Sequence, residues 1–239
     1  MKNIYNIANF NILIEYKYRY TFKFLEDFLV EDGVEYDFSI SVGEKEMISE
    51  YLKSEIKIMD VVESSAILRK LANVLLEKYS TVLFHSSAIS CDGKAYLFSA
   101  PSGTGKSTHT ALLKKLLGDR VEYINDDKPF IRLNNGEFTV YGSPWRGKHQ
   151  LGQNIGAPLK AIVKVCRGKE NKVEKLDALS SLNLLLEQSY SYSDANATSI
   201  LVDIINGMLG KIEFYKLYCN TDISSAKETY KYVIKGENI

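Results

Sequence analysis

The sequence predicts an α/β fold with a β-rich N-terminal region and an α-rich C-terminal region. Three observations support this prediction. Short alternating runs of aromatic and β-branched residues lie near the start, an apolar run leads through a glycine-rich turn into a helical segment in the middle, and helical apolar spacing recurs in the last third. With 239 residues, 45% of them hydrophobic, the chain can form a sizeable core. We expect a region over 1–80, ending in a helix, packed on a domain over 81–239.

The N-terminal region is expected to consist of short strands followed by one helix. Residues 4–41 are rich in Tyr, Phe, Ile and Val, and Asp32-Gly33 is a turn signal between alternating runs. The stretch 16–19 interleaves two aromatic with two basic residues, which is typical of a half-buried strand and, less often, of a nucleic-acid contact. Apolar residues with helical spacing then occupy 64–78, after serines that can serve as the N-cap.

A β-hairpin is predicted in the middle of the chain. Residues 81–84 form an apolar strand, and the turn signal Asp92-Gly93 leads into a second apolar run at 95–98. That run ends in the glycine-rich turn. Most folds with such a turn surround its strand with parallel neighbours reached through helices, so an antiparallel hairpin at this point is unusual.

The remaining elements follow from apolar periodicity and turn residues. A helix over 106–117 can end at Gly118, and a strand over 121–124 comes next. Strands are predicted at 129–133, 138–141 and 159–166, and helices at 178–188 and 194–209. An apolar run at 212–219 and a final helix at 224–233 complete the chain.

The glycine-rich turn has the pattern of a phosphate-binding loop. Residues 100–107 read Ala-Pro-Ser-Gly-Thr-Gly-Lys-Ser, which matches G-x-x-x-x-G-K-[ST] with Ala in the first position. The alternative is a strand-to-helix turn with a solvated lysine, but strand, loop and helix coincide here. The candidate nucleotide-binding residues are Ser102, Gly103, Thr104, Gly105, Lys106, Ser107 and Thr108.

Each residue type in this loop has a separate chemical use. Gly103 and Gly105 let the backbone turn tightly and direct several N–H groups at phosphate oxygens. Lys106 would reach the β- and γ-phosphates, and the Ser107 hydroxyl would bind Mg²⁺, which takes few protein ligands. Thr108 could take the place of Ser107 in that role. The loop predicts a protein that uses a nucleotide and Mg²⁺.

An acid pair follows the next strand. In phosphoryl transfer one carboxylate can hold the Mg²⁺ hydration shell and the other can accept the proton of the attacking hydroxyl. Asp126 and Asp127 are adjacent, so both can face one site only where the strand is ending. The alternative for this stretch is a solvated Asx turn before Pro129. We predict Asp126 as a metal ligand and both acids as catalytic candidates, and the residues do not decide which is the base.

Three further side chains are candidates with weaker support. Arg146 or Lys148, in a loop with two glycines and the only tryptophan, could neutralise the transferring phosphoryl group or recognise an acidic substrate. The alternative is a solvated basic turn anchored by that tryptophan. His85 precedes the hairpin and is either a catalytic residue or a structural one. His109 is expected on the surface of the helix or at the nucleotide rim.

Composition excludes several classes of function. Thirty basic and 30 acidic residues give a formal net charge of zero, which argues against nucleic acid as a partner. Cys91, Cys166 and Cys219 are far apart in sequence, so neither a disulfide framework nor a zinc site is indicated. Neither a signal peptide nor a membrane span is visible, and we expect a cytoplasmic protein without a membrane partner.

Together these residues resemble a known family. His85, the hairpin, the loop segment 102–107 and the acids after one helix and one strand are similar to the catalytic domain of bacterial HPr kinase/phosphorylase. The loop and the double Asp also resemble the nucleotide core of ATP-dependent phosphoenolpyruvate carboxykinase. The resemblance covers about 83–133. It implies a P-loop kinase-like domain with a mixed sheet, ATP and Mg²⁺ as cofactors, Lys106 and Ser107 on nucleotide and metal, and the acid pair supplying metal contact and base.

Elsewhere the chain departs from that family. HPr kinase has an Arg-Gly-Leu-Gly-type segment after the core, for which Arg146-Gly147-Lys148 is at best a loose substitute, and its N-terminal domain has no counterpart in 1–80. The layout is more similar to smaller HPr-kinase-like proteins found beside peptide-modification genes, some of which phosphorylate a serine on a precursor peptide. The resemblance therefore implies a serine-containing peptide or protein as substrate, and it allows a homo-oligomer.

The sequence thus predicts a Mg²⁺-dependent, ATP-using serine kinase. Its predicted catalytic residues are His85, Lys106, Asp126, Asp127 and Arg146. Two alternatives stay open: a nucleotide-binding regulatory or assembly protein without transfer activity, and a kinase for a small molecule such as free serine. Carboxykinase activity is the weakest option, because no matching set of metal ligands is found.

Overall fold

The computed structural model describes residues 1–31, 33–192 and 194–239. It is an α/β fold with a three-stranded sheet near the N-terminus and a nine-stranded mixed sheet formed by the rest of the chain. The α/β class and the mixed sheet are confirmed. Asp32, half of the expected turn, lies outside the described residues.

The described part of the N-terminal region contains three strands, three α-helices and a 3₁₀ turn at Glu26–Phe28. Its elements are β1 (Lys2–Ile7), β2 (Phe10–Glu15), α1 (Arg19–Leu25), β3 (Phe38–Ser41), α2 (Glu44–Lys53) and α3 (Met59–Tyr79). β2 lies between β1, with which it is antiparallel, and β3, with which it is parallel. The buried face of this sheet packs on α3, and the same apolar cluster takes in Phe130 and Trp145 from later in the chain. The two regions therefore share this apolar cluster.

The stretch 16–19 is not a strand, which corrects the prediction from its alternating pattern. Tyr18 is the N-cap of α1 and Arg19 its first residue. The cause is Glu63 of α3, which is buried and accepts hydrogen bonds from the backbone N–H groups of Lys17 (2.7 Å) and Tyr18 (3.1 Å) and from the Thr21 hydroxyl (2.6 Å). A buried carboxylate needs hydrogen-bond donors. The chain supplies them by turning into a helix at this point.

Helix α3 starts five residues before the predicted 64. Ile58 is its N-cap and contributes no side-chain hydrogen bond, whereas the Ser64 hydroxyl donates to the Val61 carbonyl inside the helix. The serine at this position is therefore a helix-interior residue and not a cap. Apolar residues on one side of α3, among them Ile67, Leu71 and Leu75, are fully buried.

The large sheet holds the remaining nine strands. They are β4 (Thr81–Leu83), β5 (Ser87–Cys91), β6 (Lys94–Ser99), β7 (Val121–Asn125), β8 (Phe130–Asn134), β9 (Glu137–Tyr141), β10 (Gly156–Arg167), β11 (Lys172–Lys175) and β12 (Glu213–Cys219). The order is β4-β8-β9-β10-β6-β5-β7, with β12 beside β10 and β11 beside β12. An antiparallel hairpin precedes the loop as predicted, since β5 and β6 pair from Ser87↔Phe98 to Cys91↔Lys94. Its first strand is β5, whereas the strand predicted at 81–84 is β4 and pairs with β8.

The mixed character of the sheet comes from β10. Its first residues pair antiparallel with β9, and after an irregularity between Leu159 and Ala161 its second half pairs parallel with β6 and β12. β5 is antiparallel to both of its neighbours, β6 and β7. β6 and β7 consequently run in the same direction, and their carboxyl ends lie at one edge of the sheet.

Helices cover both faces of the large sheet. They are α4 (Lys106–Leu117), α5 (Ala178–Gln188), α6 (Ala195–Leu209) and α7 (Ile223–Thr229), with a π-helical turn at Tyr230–Ile234. Successive residues of a strand point to opposite faces. Leu97 of β6 packs in the cluster with α5 and α6, whereas Tyr96 and Phe98 pack in the cluster with α4 and α7. Within the three described ranges, no helix has the length and apolar character needed to cross a membrane.

Candidate functional site

The predicted phosphate-binding loop connects β6 to α4. Gly103 and Gly105 have positive φ values of +73° and +121°, in the region that favours glycine. Gly105 is the N-cap of α4, and no side chain caps the helix there. The first amide groups of the helix are therefore left to bind another acceptor, and an anion such as phosphate suits this position.

Lys106 lies at the base of the loop. Its side chain is 8% exposed, and Nζ donates a hydrogen bond of 2.9 Å to the Ala100 carbonyl. Burial lowers the pKa of Lys106, while the nearby carboxylates of Asp127 and Asp126 act in the opposite direction. The ammonium group is thus fixed between the loop and the two acids.

The two acids stand where β7 has ended, as the sequence predicted. The side-chain oxygen of Asn125, the last residue of β7, accepts from the backbone N–H groups of Asp127 (2.8 Å) and Lys128 (2.6 Å). Asn125 also donates to the Ser143 carbonyl at 2.9 Å and is fully buried. An Asx turn is present, but it is built on a buried Asn125 and is not the solvated turn that the sequence offered as an alternative; it holds both acids at one cavity.

The two carboxylates have different surroundings. Asp126 is 6% exposed, and its Oδ1 accepts a 2.6 Å hydrogen bond from the Ser87 hydroxyl of β5. Asp127 is half-buried, with Oδ1 at 3.5 Å from His85 Nε2 and Oδ2 at 2.6 Å from Lys128 Nζ. The Asp126 carboxylate is thus held by a neutral hydroxyl, whereas the Asp127 carboxylate is in contact with an imidazole ring and an ammonium group.

His85 is anchored at both ends of its backbone. Its N–H donates to the Gln188 carbonyl at 2.8 Å, and its carbonyl accepts from the Ser99 hydroxyl at 3.0 Å. Burial lowers the pKa of His85, the cations of Lys106 and Lys128 lower it further, and Asp127 opposes them. Since the ordinary value of a histidine is already near 6.5, the ring is neutral at pH 7.

A cavity of about 360 Å³ brings most of the predicted site together. The predicted residues in its wall are His85, Ser102, Gly103, Gly105, Lys106, Ser107, Thr108, Asp126 and Asp127. Gly147, Lys148 and His149 complete the lining. Thr104, which was also predicted to bind nucleotide, lines a second cavity on another side of the loop.

Arg146, a predicted catalytic residue, is not brought to this cavity. Its guanidinium pairs with the Asp27 carboxylate and donates to the Gly152 carbonyl at 3.3 Å. The preceding Trp145 is buried against Phe24, and this directs the loop toward the N-terminal region. The anchoring role foreseen for the tryptophan is present, and the basic residues that this loop brings to the cavity are Lys148 and His149.

Gly147 decides how closely this loop approaches the acids. Its φ is +69°, and a Cβ at this position would lie 2.9 Å from the Cβ of Asp127. Only glycine allows such contact. His149, for which the sequence offered no role, also lines the cavity. The sequence feature that could have indicated this loop was Gly147, which stands between the cations of Arg146 and Lys148.

His109 corrects the expectation of a surface position on the helix, although it lines the second cavity beside the loop. It is 2% exposed, its ring packs on Phe98, and its Nε2 lies 2.9 Å from the Thr229 hydroxyl. Burial lowers its pKa to about 4. Leu113, four residues on, is fully buried as well, so helical spacing could have placed His109 on the buried face.

This histidine makes stability depend on pH. In the unfolded chain the imidazole takes up a proton near its ordinary pKa of 6.5, whereas in the folded protein it does so only near 4. Unfolding therefore takes up a proton below pH 6.5, and the free energy of unfolding falls as the pH falls toward 4. The loss from this group between pH 7 and pH 5 is on the order of 2 kcal/mol. Urea unfolding at both pH values should give a smaller loss for His109→Gln than for the wild type.

The matched control for that measurement is His149→Gln, which removes an exposed histidine. We expect it to keep the pH dependence of the wild type. Equal losses in the wild type and His109→Gln would contradict the assignment of the acid-sensitive group.

The side chains at the cavity fit Mg²⁺. Among the described residues there is no group of three or more His, Cys, Asp or Glu able to hold a metal. Ser107 and Asp126 instead offer one hydroxyl and one carboxylate, which are hard oxygen ligands. Mg²⁺ typically uses such a small protein contribution, keeps several waters and takes its other ligands from substrate phosphates.

Comparison with known proteins found no family model and no curated protein that matches the chain. Among solved structures, it is similar to the Hpr(Ser) kinase/phosphatase from Coxiella burnetii. The two are 8% identical, the match covers 64% of this chain and 97% of the other, and the TM-score is 0.38. This is a distant, fold-level similarity, and the site is interpreted below from its own geometry.

Proposed function

We propose that the protein is a Mg²⁺-dependent kinase that transfers the γ-phosphoryl group of ATP to a serine hydroxyl of a peptide or protein. The observation that carries the proposal is the convergence, on one cavity, of a glycine loop at a helix N-terminus, a buried lysine and two carboxylates of unlike surroundings. Phosphoryl transfer needs these parts because its catalysis is mostly positioning and charge stabilisation.

The loop and Lys106 would bind the phosphates. Backbone N–H groups after Gly103 and Gly105 donate to phosphate oxygens, and the Lys106 ammonium neutralises the charge that develops on the γ-phosphoryl group. Ser107 and Asp126 would hold Mg²⁺, which supplies further charge neutralisation between the phosphates when bound. The hydrogen bond from Ser87 fixes the Asp126 carboxylate for this task.

Asp127 is the proposed general base. Its carboxylate is half-buried at the cavity, next to neutral His85, and would accept the proton of the attacking serine hydroxyl. The contacts with His85 and Lys128 fix the side chain. Because Asp126 is the more buried acid and already accepts from Ser87, the structure favours this division of roles between the acids.

The acceptor would enter past Gly147, Lys148 and His149. Lys148 and His149 are both exposed, so an extended peptide can reach the cavity from this side. The cation of Lys148 would face the negative charge of the transferring group. A serine hydroxyl is the acceptor that the sequence resemblance implies.

The test is a transfer assay with defined acceptors. We expect the protein, with ATP and Mg²⁺, to phosphorylate a randomised peptide library containing one serine and not the matched library with alanine in its place, with mass spectrometry locating the phosphoryl group. Free L-serine and a library with tyrosine are the other acceptors. Preference for free serine would favour the small-molecule alternative. Tight ATP binding without transfer or hydrolysis would favour a regulatory protein and contradict the proposal.

A further inference from the structure

A second cavity, of about 400 Å³, adjoins the phosphate-binding loop. Gly103, Gly105 and Thr108 line both this cavity and the one that holds the acids. The other walls of the second cavity come from His109 of α4 and from the ends of two strands, at Arg167 of β10 and at 219–221, where β12 ends. The loop therefore separates two cavities and is accessible from both.

The walls of the second cavity are held in place by hydrogen bonds. Arg167 donates to two loop carbonyls, from Nη2 to Gly103 at 2.6 Å and from Nε to Thr104 at 3.5 Å. The Asn220 side chain donates to the Lys169 carbonyl at 3.3 Å and accepts from the Asp222 N–H at 3.0 Å. A cavity whose walls are tied to each other and to the loop is formed before a ligand arrives, which favours binding.

The two cavities differ in charge. The first is lined by six ionisable side chains: His85, Lys106, Asp126, Asp127, Lys148 and His149. In the second, Arg167 is the only charged side chain among the lining residues that the structure describes, and it is already engaged by the loop carbonyls. His109 is also in the lining, where it is 2% exposed and packs its ring on Phe98.

This difference decides which part of a nucleotide each cavity suits. A nucleobase in the first cavity would desolvate several charges without pairing them, which is costly. Phosphates would pair with the cations of Lys106 and Lys148, and the Mg²⁺ that accompanies a nucleotide would offset the charge of the two carboxylates. The second cavity offers uncharged groups to an uncharged ligand, including the hydroxyls of Thr104 and Thr221 for hydrogen bonds to a ribose.

We propose that the second cavity binds the ribose and base of the nucleotide, with the phosphate chain crossing the loop at 103–105 into the first cavity. This assignment rests on the proposed kinase function. Arg167 then acts as a positioning residue that fixes the loop between the two halves of the nucleotide. The same placement of the nucleotide gives β12 and the residues after it a role in binding the ribose and base, a role that the loop motif alone does not indicate.

The experiment compares a nucleotide with its phosphate part alone. Thr221 is exposed and lines the cavity, so Thr221→Trp can fill the space without disturbing the core. By isothermal titration with Mg²⁺, we expect this variant to bind ATP and GTP at least about tenfold more weakly than the wild type, while inorganic tripolyphosphate binds within about twofold of wild type. Glu170→Trp adds the same side chain at an exposed position outside the cavity and should leave binding of all three unchanged.

The outcomes separate the two proposals. If the wild type binds neither ATP nor tripolyphosphate, the nucleotide function fails and this inference with it. If the wild type binds both, and Thr221→Trp weakens neither or weakens them equally, the cavity assignment is overturned while the kinase proposal stands. Retained tripolyphosphate binding also reports that the variant is folded.

A second measurement does not depend on any variant. Cys219 lies in the cavity wall, half-buried, and burial raises the pKa of its thiol, so alkylation by N-ethylmaleimide is followed at alkaline pH. We expect ATP to slow the labelling of Cys219 at least about fivefold and tripolyphosphate to leave it unchanged, with mass spectrometry identifying the labelled peptide. Equal rates with ATP and tripolyphosphate would overturn the assignment.

Discussion

Replacing Lys106 by methionine is expected to slow phosphoryl transfer by at least about a thousandfold, which corresponds to roughly 4 kcal/mol of lost transition-state stabilisation. The Lys106 ammonium is fixed by its hydrogen bond to the Ala100 carbonyl and lies near both acids. Methionine keeps the apolar stem of this buried side chain and removes the charge together with the hydrogen bond to the Ala100 carbonyl. The fold should therefore be retained, and the loss should appear in single-turnover rates at saturating ATP and Mg²⁺.

The matched control is Lys115→Met. Lys115 is an exposed residue of the same helix, α4, and does not line the cavity. We expect its transfer rate to stay within about twofold of wild type, since exposed surface charges contribute little. A Lys106→Met protein that transfers phosphate within tenfold of the wild-type rate would remove Lys106 from the mechanism.

The loop and the acid pair could be predicted from sequence because their requirements are local. Two glycines with positive φ and a helix start define the loop within a few residues, and an Asx turn fixes the acids just after a strand. Their meeting in space depends on topology. β6 and β7 flank β5 and end at the same edge of the sheet. The sequence predicted the β5–β6 hairpin but contained no signal for the place of β7.

Three of the errors have a common physical cause, since each was decided by a residue far along the chain. Arg146 is drawn to Asp27, 119 residues away, and His109 is buried beside Thr229, 120 residues away. Glu63, 46 residues from Lys17, converts an expected strand into the start of α1. Periodicity and propensity describe local preferences, and a buried carboxylate or an ion pair with a distant partner overrides them.

The second cavity was beyond prediction for the same reason. Arg167 and Thr221 lie far apart in the sequence, and each is simply a polar residue that follows an apolar run. Neither pattern indicates a binding site. They come together because β10 pairs in parallel with both β6 and β12, which places three strand ends beside the loop. In α/β sheets such an edge is where ligands commonly bind.

The second large effect that we expect follows from the different surroundings of Asp126 and Asp127. Asp127→Asn should lower the transfer rate by about a thousandfold, within the range of general-base catalysis, because an amide cannot take the proton of the acceptor hydroxyl. Its affinity for ATP should stay near wild type, since Asp127 is not the proposed metal ligand. Single-turnover rates and ATP titrations measure the two quantities separately.

Asp126→Asn serves as the comparison, because it changes the same atom type one residue away. If Asp126 holds Mg²⁺, this variant should need more Mg²⁺ for half-maximal transfer, and added Mg²⁺ should restore part of the rate, whereas Asp127→Asn should gain nothing from it. The reverse pattern would exchange the two roles. It would also require the acid held by the Ser87 hydroxyl at 2.6 Å to act as the base, and the acid beside His85 and Lys128 to bind a cation. The cation of Lys128 beside Asp127 opposes a second cation at that carboxylate, which is why we expect Asp127 to be the base.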